Sequence, residues 1–539
     1  RDLVIRDMTA SLATTSAEQI RDLPVTQISE VLRLNAGIIE SDGRLHIRGG
    51  RPGEIAYWVD GISATDMYDG RIGVVVENNS VQELQVISGT FNAEYGQTMS
   101  GIVNIVTKEG GRKYSGQIKL YAGDYWSGDD KFSLYKELQT ERDPVSGLTR
   151  VASSKRDYPL KTFDPTSIYN GEVNFSGPIP LLEDQSSFFV NARYLYDDGY
   201  YYGRQWYKPS GSAGDNSLVA MNPNQTTSLQ AKINFDLTKN TKINYNFFWN
   251  KGKRDRNFFR AGGTYFQGFN GFTVHDYKYV PNGLPQSHSQ GFTSMVTLNQ
   301  ILSQSTFFEL RVSNYYSEFQ QYVYKDPTTA VKYLVNVQED TSKGIIAETF
   351  DPFTAEGQVK LQNIIQLGGV FEYISDPNGP NGYIDPSLIN TPTSYSFMNR
   401  GMDISHMKRS TSYWVGKLDF TSQWTKTQQL KFGAETRISE LNLNSYQIIP
   451  QTDANGTELE PFLPAVPEVG SVFRNDYNRK PVEFSTYLQD KVEFENIILN
   501  IGLRYDYFNA NAKVPTDPTD PNIYSPFKNK NKYAGWVDM

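Results

Sequence analysis

The densest group of residues suited to gripping a ligand is Tyr196, Tyr200, Tyr201, Tyr202 and Tyr207, with Arg204 among them. Aromatic faces beside a guanidinium hold sugars, peptides and iron chelates, because rings supply apolar area while polar groups fix orientation. The same cluster also suits an interfacial girdle with loop packing. Other chemistry is poorly provided for. His46, His275, His288 and His406 show no metal-ligand spacing, so no zinc or iron site is expected. Residues 376–385 are rich in Asn, Gly and Asp but lack the alternating ligands and terminal glutamate of a calcium loop, so a plain turn fits better. The PTDPTDPN run from Pro515 is of the same kind. No phosphate-binding loop, nucleophile elbow or paired-carboxylate motif occurs, so neither enzyme activity nor a cofactor is expected.

The elements that position these residues are bounded by composition. A chain of 539 residues exceeds one ordinary core, and at least two domains, or a barrel plus something else, are expected. Mean hydropathy is −0.52, and no apolar run of roughly 18 residues occurs, which excludes a helical membrane protein. A transmembrane barrel is not excluded, since alternating lipid-facing and lumen-facing residues keep the average low. Aromatic content is 13%, with Tyr 35, Phe 30 and Trp 7, which suits interfacial girdles or a ligand surface. The net charge of −8 with scattered basic residues gives no support for nucleic-acid binding. The lack of cysteine fits an oxidising compartment. The chain opens at Arg1 on structured-looking sequence and reads as a piece of a longer protein, so the lack of a signal peptide says nothing about compartment.

Two patterns share the chain. Residues 1–112 read as a small α/β domain. Pro24 opens a short helix with Ile28, Val31 and Leu32 on one face, and Gly37 closes it. Strands are expected at 45–48, 56–59, 84–87 and 102–107. Gly49 and Gly50 suit a tight turn and Asp60-Gly61 a hairpin, while Tyr57 and Trp58 suit core packing better than a substrate contact. Glycines stand at every junction, Gly43 included, so the domain is compact, loop-rich and deformable.

From 113 to 539 the period becomes two. Leu229, Ala231, Ile233, Phe235 and Leu237 interleave with Gln230, Lys232, Asn234 and Asp236. Ile243, Tyr245, Phe247 and Trp249 stand opposite Asn244, Asn246 and Asn250. Phe308, Leu310 and Val312 alternate with Glu309, Arg311 and Ser313; Leu430, Phe432, Ala434 and Ile438 with Lys431, Glu435 and Arg437; and Leu499, Ile501, Leu503 and Tyr505 with Asn500, Arg504 and Asp506. About eleven such segments approach the roughly 10 residues that a tilted strand needs to cross a bilayer. Short links at 177–186, 237–241, 302–305, 424–428 and 494–497 take turns with long polar stretches such as 252–290 and 317–410. Antiparallel strands send alternate connections to opposite ends, so this asymmetry points to a membrane barrel over a soluble sandwich.

The first domain resembles the plug of TonB-dependent outer-membrane receptors through LPVTQISEVLRLNAGI (23–38), LHIRGGRPGEIAYWVDGI (45–62) and VQELQVISGTFNAEYGQTMSGIVNIVTKEGG (81–111). The second part is similar through FSGPIP (175–180) and YLQDKVEFENIILNIGLRYDYF (487–508). The resemblance implies a mainly β protein of the bacterial outer membrane: an α/β plug inside an antiparallel barrel of about 22 strands, of which about half are present here. It implies active import of a bulky nutrient (an iron chelate, cobalamin, an oligosaccharide or a peptide), driven by a TonB-type inner-membrane protein that pulls an N-terminal segment. That segment is not visible, and the Val4-Ile5 pair reads as a first strand. The alternative is a plugged barrel serving as a structural or assembly subunit with a surface lipoprotein or another outer-membrane protein. The resemblance also implies that Arg48 pairs with wall glutamates, for which Glu172, Glu309 and Glu435 are candidates. Many relatives carry a second arginine where this chain has Ser88, a departure that weakens one plug–wall lock.

Overall fold

The computed structural model describes residues 11–255, 274–389, 396–515, 519 and 536–538, apart from positions 24, 26, 42, 43, 69, 90, 181, 183, 184, 495 and 496. Val4-Ile5, Pro24, Gly43, part of the 252–290 stretch and most of the PTDPTDPN run lie outside the described residues.

The first domain assembles a five-stranded sheet in the order Ser11–Ser16, Val81–Ser88, Gly101–Thr107, Ile55–Val59, Ile62–Ser63. Ile55–Val59 runs parallel to Gly101–Thr107, and the other pairs are antiparallel. All five side chains of Ile55–Val59 are buried, as an unbroken apolar run in a doubly covered strand requires. Two short helices cover the sheet. Ala17–Asp22 is held by a capping box between Ser16 and Gln19. Ile28–Arg33 buries Ile28, Val31 and Leu32, the expected face. It starts at Ile28, later than Pro24, because Gln27 is the N-cap and its N–H donates to Glu30 Oε2 at 3.1 Å.

The Asp60-Gly61 hairpin is present. Trp58 pairs with Ser63 and Val59 with Ile62, and both turn residues have positive φ, +48° and +81°, as a two-residue turn of this hand requires. The other tight turn sits one residue earlier than expected. Arg48 and Gly49 take the left-handed positions at φ +51° and +77°, and Gly50 closes the turn onto Ile47 O at 2.9 Å.

Eleven further strands form one antiparallel meander: Ser115–Gly123, Ile168–Pro178, Ser186–Asp197, Asn224–Thr238, Thr241–Asp255, Gln286–Ser303, Thr306–Tyr322, Ser405–Gln423, Gln428–Gln447, Val482–Glu493 and Ile498–Asn509. A twelfth, Arg474–Arg479, pairs with the far part of Gln428–Gln447, ahead of Val482–Glu493. The longest strands, up to 20 residues, outrun the bilayer and stand above it. The long stretches are correspondingly shorter than the sequence suggests, since one strand reaches Tyr322 and the next begins at Ser405. Residues 323–404 are not a plain loop. They contain a three-stranded sheet around Tyr333–Val337 and a helix, Ala355–Gln366, capped by Thr354. Val335, Val337, Ile345 and Ile364 form a core of their own there.

The meander is an arc around the first domain. Its outer face carries the apolar half of each alternation, including exposed Ile233, Tyr245, Val296, Leu310, Val312, Trp414 and Phe432. About eight residues along a strand tilted by roughly 40°, at about 3.3 Å each, make this band about 20 Å tall, close to the height of a bilayer's apolar layer. Among the described residues, Ser115–Gly123 and Ile498–Asn509 are each paired on one side only.

Candidate functional site

The functional geometry lies where the first domain meets the concave face of the wall. The polar half of each wall strand points inward, so every second residue is available to the enclosed domain. Acidic residues of that domain receive it, Asp60, Glu77, Glu94 and Glu109 among them. Glu109 lies between Lys242 Nζ at 2.8 Å and Lys232 Nζ at 3.4 Å. Lys232, almost fully buried, also reaches Asp60 Oδ2 at 3.3 Å. That oxygen accepts from Asn246 Nδ2 and Thr107 Oγ1, both at 2.6 Å, while Oδ1 accepts from Thr107 N at 2.8 Å. Asp60 therefore serves both the hairpin and the wall.

Glu77 is the most enclosed of the four. It accepts from Arg193 Nη1 and Ser228 Oγ, both at 2.6 Å, and Arg193 Nε donates to Asn170 Oδ1 at 2.7 Å. Glu94 meets Lys431 at 3.3 Å. Beside it Arg504 Nη1 donates to the carbonyls of Ala93 and Glu94 at 3.2 and 3.1 Å, and Gln489 Oε1 accepts from Ala93 N at 3.0 Å. Two glycines leave room for the wall arginines: a Cβ at Gly96 would stand 2.4 Å from Arg504 Nη2, and one at Gly61 would stand 2.9 Å from Arg311 Cζ.

Apolar contacts also cross the interface. Phe248, Tyr315, Tyr413 and Val415 of the wall belong to the same buried cluster as Val31, Leu32, Leu84 and Val103. Tyr315 and Tyr413 stack at 4.5 Å, and Tyr315 OH lies 3.3 Å from both Asp66 Oδ2 and Gly73 O. Lys417 Nζ lies 4.0 Å from the centroid of the Trp58 ring, which is buried with Ala56 and Ile102, while Tyr57 lies in the larger cluster.

At the long-loop end the enclosed domain presents Met67 and Tyr68. The Arg409 guanidinium covers the Tyr68 ring at 4.4 Å, and Ser439 touches Met67. A cavity of about 320 Å³ opens beside them, lined by Asp66, Gln97, Glu435, Arg437, Glu483 and Arg504 among others. Arg437 sits between Glu435 at 3.6 Å and Glu483 at 3.5 Å.

The residues expected from sequence are distributed as follows. Arg48 is exposed, beside Gly89, and among the described residues it makes no ion pair with the wall glutamates. Glu172 lies across its strand pair from Arg193, Glu309 pairs with Arg311, and Glu435 pairs with Arg437. Glu309 and Glu435 are thus engaged with wall arginines, while the Arg193 opposite Glu172 pairs with Glu77. Gly50 is tight against Ser100, where a Cβ would fall 2.3 Å from Ser100 Cβ, and Gly49 is open.

The loop tyrosines do not form one open platform. Tyr201 is buried with Met221, Tyr277, Val280 and Met398, and its hydroxyl lies 2.7 Å from His275 Nδ1. Arg204 is buried, paired with Asp157, and donates to Asn216 O at 2.7 Å. Tyr200 packs edge-on to Tyr125 at 5.7 Å, and Tyr207 lies against the Tyr201 cluster. Tyr200 and Tyr202 keep partial exposure, and burial pushes the Tyr202 hydroxyl up to about 12, with Asp198 adding to the shift. Burial, helped by Arg156, pushes the neighbouring Lys278 ammonium down to about 8. Asp376 in the Asn/Gly/Asp stretch caps its own turn at Asn378 N, 2.9 Å away, and pairs with Lys332 at 3.4 Å.

Sequence reasoning missed Glu77, Glu94, Glu109 and Tyr68. Their wall partners lie more than a hundred residues away along the chain, and no local spacing announces such a pair. The available signal was the recurrence of single basic residues on the polar face of successive strands, at Arg193, Lys232, Lys242, Lys431 and Arg504.

Residues 4–103 match the family model described as TonB-dependent Receptor Plug Domain, and residues 358–536 match that of TonB dependent receptor-like, beta-barrel. Over 105 residues the chain is 31% identical to the TonB-dependent transporter Oar of Myxococcus xanthus, a match covering 20% of this chain and 10% of that protein. Among solved structures it is similar to the outer membrane transporter YddB from Escherichia coli, with a TM-score of 0.54 and 12% identity over 92% of this chain and 56% of that one. The siderophore receptor PirA from Acinetobacter baumannii gives a TM-score of 0.52 and 13% identity over 92% and 56% of the two chains. FpvA of P. aeruginosa, solved with heterologous pyoverdines, gives 0.52 and 12% over 94% and 52%. The chain spans little more than half the length of these structures and a tenth of the curated relative.

Proposed function

Since the chain belongs to the TonB-dependent receptors of the bacterial outer membrane, we propose that it supplies the plug and part of the wall of an energy-driven importer of a bulky nutrient. The observation that carries this reading is the composition of the plug–wall interface. The plug is seated by separate ion pairs and hydrogen bonds at Asp60, Glu77, Glu94 and Glu109, each of which water can replace when the surfaces part. An interface of this kind seals a wide lumen at rest and yields in stages to a pull from a TonB-type transducer. In this reading the lock is Asp60 with Lys232 and Glu77 with Arg193, while Arg48 with Gly49 and Gly50 shapes a turn. Tyr68 on the plug and the half-buried loop residues Tyr200 and Tyr202 are the candidate substrate contacts. Iron chelates, cobalamin, oligosaccharides and peptides all suit aromatic faces beside guanidinium groups. The siderophore receptors among the similar structures make an iron chelate the first ligand to try.

A specific feature favours a second reading, a structural or assembly subunit with a lipoprotein or another membrane protein on its outer face. The hairpin of Leu134–Arg142 and Thr149–Asp157 is anchored at its base by Leu134 and Asp157 and is otherwise nearly all exposed, with Val145 and Leu148 at its tip. Native mass spectrometry of the full-length protein, purified in mild detergent from its own outer membrane, separates the two. A bound small molecule or short polymer is the expected result. A stoichiometric protein partner with an empty lumen would replace import by assembly.

A further inference from the structure

Two rows of side chains on the outer face of the wall break the apolar pattern below them. The register puts Leu229, Trp249, Phe292 and Tyr316 side by side on neighbouring strands, with the Phe292 and Tyr316 rings 5.8 Å apart. One step nearer the long loops the same register reads Thr227, Lys251, Gln290 and Glu318. The next step reads Gln225, Lys253, His288, Gln320 and Lys408. These positions share the parity of the lipid-facing residues, so they stand outside the barrel and not in its lumen.

With Lys325 from the following loop, the two rows line a groove of about 570 Å³. Its acidic residue is already engaged. Glu318 accepts from Tyr316 OH at 3.0 Å, from Gln290 Nε2 at 3.1 Å and from Gln320 Nε2 at 2.9 Å, and pairs with Lys408 at 3.3 Å. Lys251, Lys253 and Lys325 surround His288 and are exposed, with no carboxylate at ion-pair distance among the described residues. An outward basic groove just beyond an aromatic row, at the long-loop end, lies at headgroup depth in the outer leaflet.

We propose that this groove binds the phosphate groups of an anionic outer-leaflet lipid, with Lys251, Lys253 and Lys325 taking the phosphates and the Trp249–Phe292–Tyr316 row packing on acyl chains. The inference does not depend on what the lumen carries. It is tested by native mass spectrometry of the full-length protein in mild detergent, titrated with a bisphosphorylated glycolipid, with the same lipid dephosphorylated, and with inorganic phosphate as competitor. Saturable binding of the phosphorylated form is expected. The triple replacement Lys251→Gln, Lys253→Gln and Lys325→Gln should weaken it roughly a hundredfold, and Lys253→Gln alone about fivefold, should the triple variant fail to assemble. Removing three loop charges elsewhere, with Lys155→Gln, Lys343→Gln and Lys360→Gln, should leave it unchanged. Equal binding of the dephosphorylated lipid, or an equal loss in the control triple, overturns the proposal. Full displacement by millimolar inorganic phosphate would reassign the groove to a free anion and overturn the lipid assignment.

Discussion

The plug–wall interface concentrates buried charge at a few residues, and that decides what single substitutions do there. Glu77 and Arg193 have side chains only 8% and 10% exposed. Removing one partner leaves the other buried and uncompensated, which typically costs about 3–5 kcal/mol, whereas replacing both with apolar groups of similar volume is often neutral or stabilising. Glu77→Ala should therefore lower the urea midpoint for plug unfolding in the full-length protein, and Glu77→Leu combined with Arg193→Met should restore it. A single substitution with no measurable cost would mean that this pair does not seat the plug. At this scale the sequence was legible where the chemistry is local. Asp60-Gly61 announces its turn, because two adjacent residues with positive φ favour that pair. Glu77 announces nothing, since Arg193 lies 116 residues further along the chain. Arg48 is legible in the turn around it, and among the described residues its side chain makes no ion pair with Glu172, Glu309 or Glu435.

At the scale of elements, strict alternation made the wall strands legible, because a face against lipid and a face against a wet, charged interior leave little choice at each position. Where that two-sided environment stops, legibility stops. Phe248 lies on the polar side of its strand and is buried against the plug, so it breaks the alternation for a reason that only the fold supplies. The excursion at 323–404 reads as polar, although Thr354 caps a helix of 12 residues and Tyr333–Val337 anchors a small sheet. Apolar runs such as VKYLVNV (331–337) do occur there, but they are short and broken by polar, Gly- and Pro-rich residues. The strand Ser11–Ser16, SLATTS, is made of small and polar residues and carries no strand signal, yet it forms one edge of the plug sheet, paired in register from Ser11 with Ser88 to Ser16 with Glu83. Under the proposed import, it is the first strand among the described residues that a pull from the N-terminus would load. The chain has no cysteine, so Leu12→Cys with Ile87→Cys introduces one disulfide across directly opposed residues, whose spacing suits the bond. In the full-length receptor the oxidised form should not import, and reduction should restore uptake. Uptake at the wild-type rate with the bridge closed would show that the strand stays in place during transport.

At the scale of the whole molecule, two patterns that are separate in the sequence become one packed body. The change of period near residue 112 falls between the end of one plug-sheet strand at Thr107 and the start of the first wall strand at Ser115. It does not mark the edge of a core. Phe248, Tyr315, Tyr413 and Val415 complete the apolar cluster of the plug from the wall side. The plug is therefore not an interchangeable cartridge. Transplanted alone into another receptor's wall, it would leave open the space these four side chains fill, and cavities of that size in a core are costly. A chimera carrying only the plug should be cleaved by protease faster than the parent, and one that also carries the four wall residues should regain resistance. Equal resistance in both would mean that the plug packs without them. In lineage terms, the two segments should be inherited as a pair: a recombination point near residue 112 would separate a core from part of its own lining.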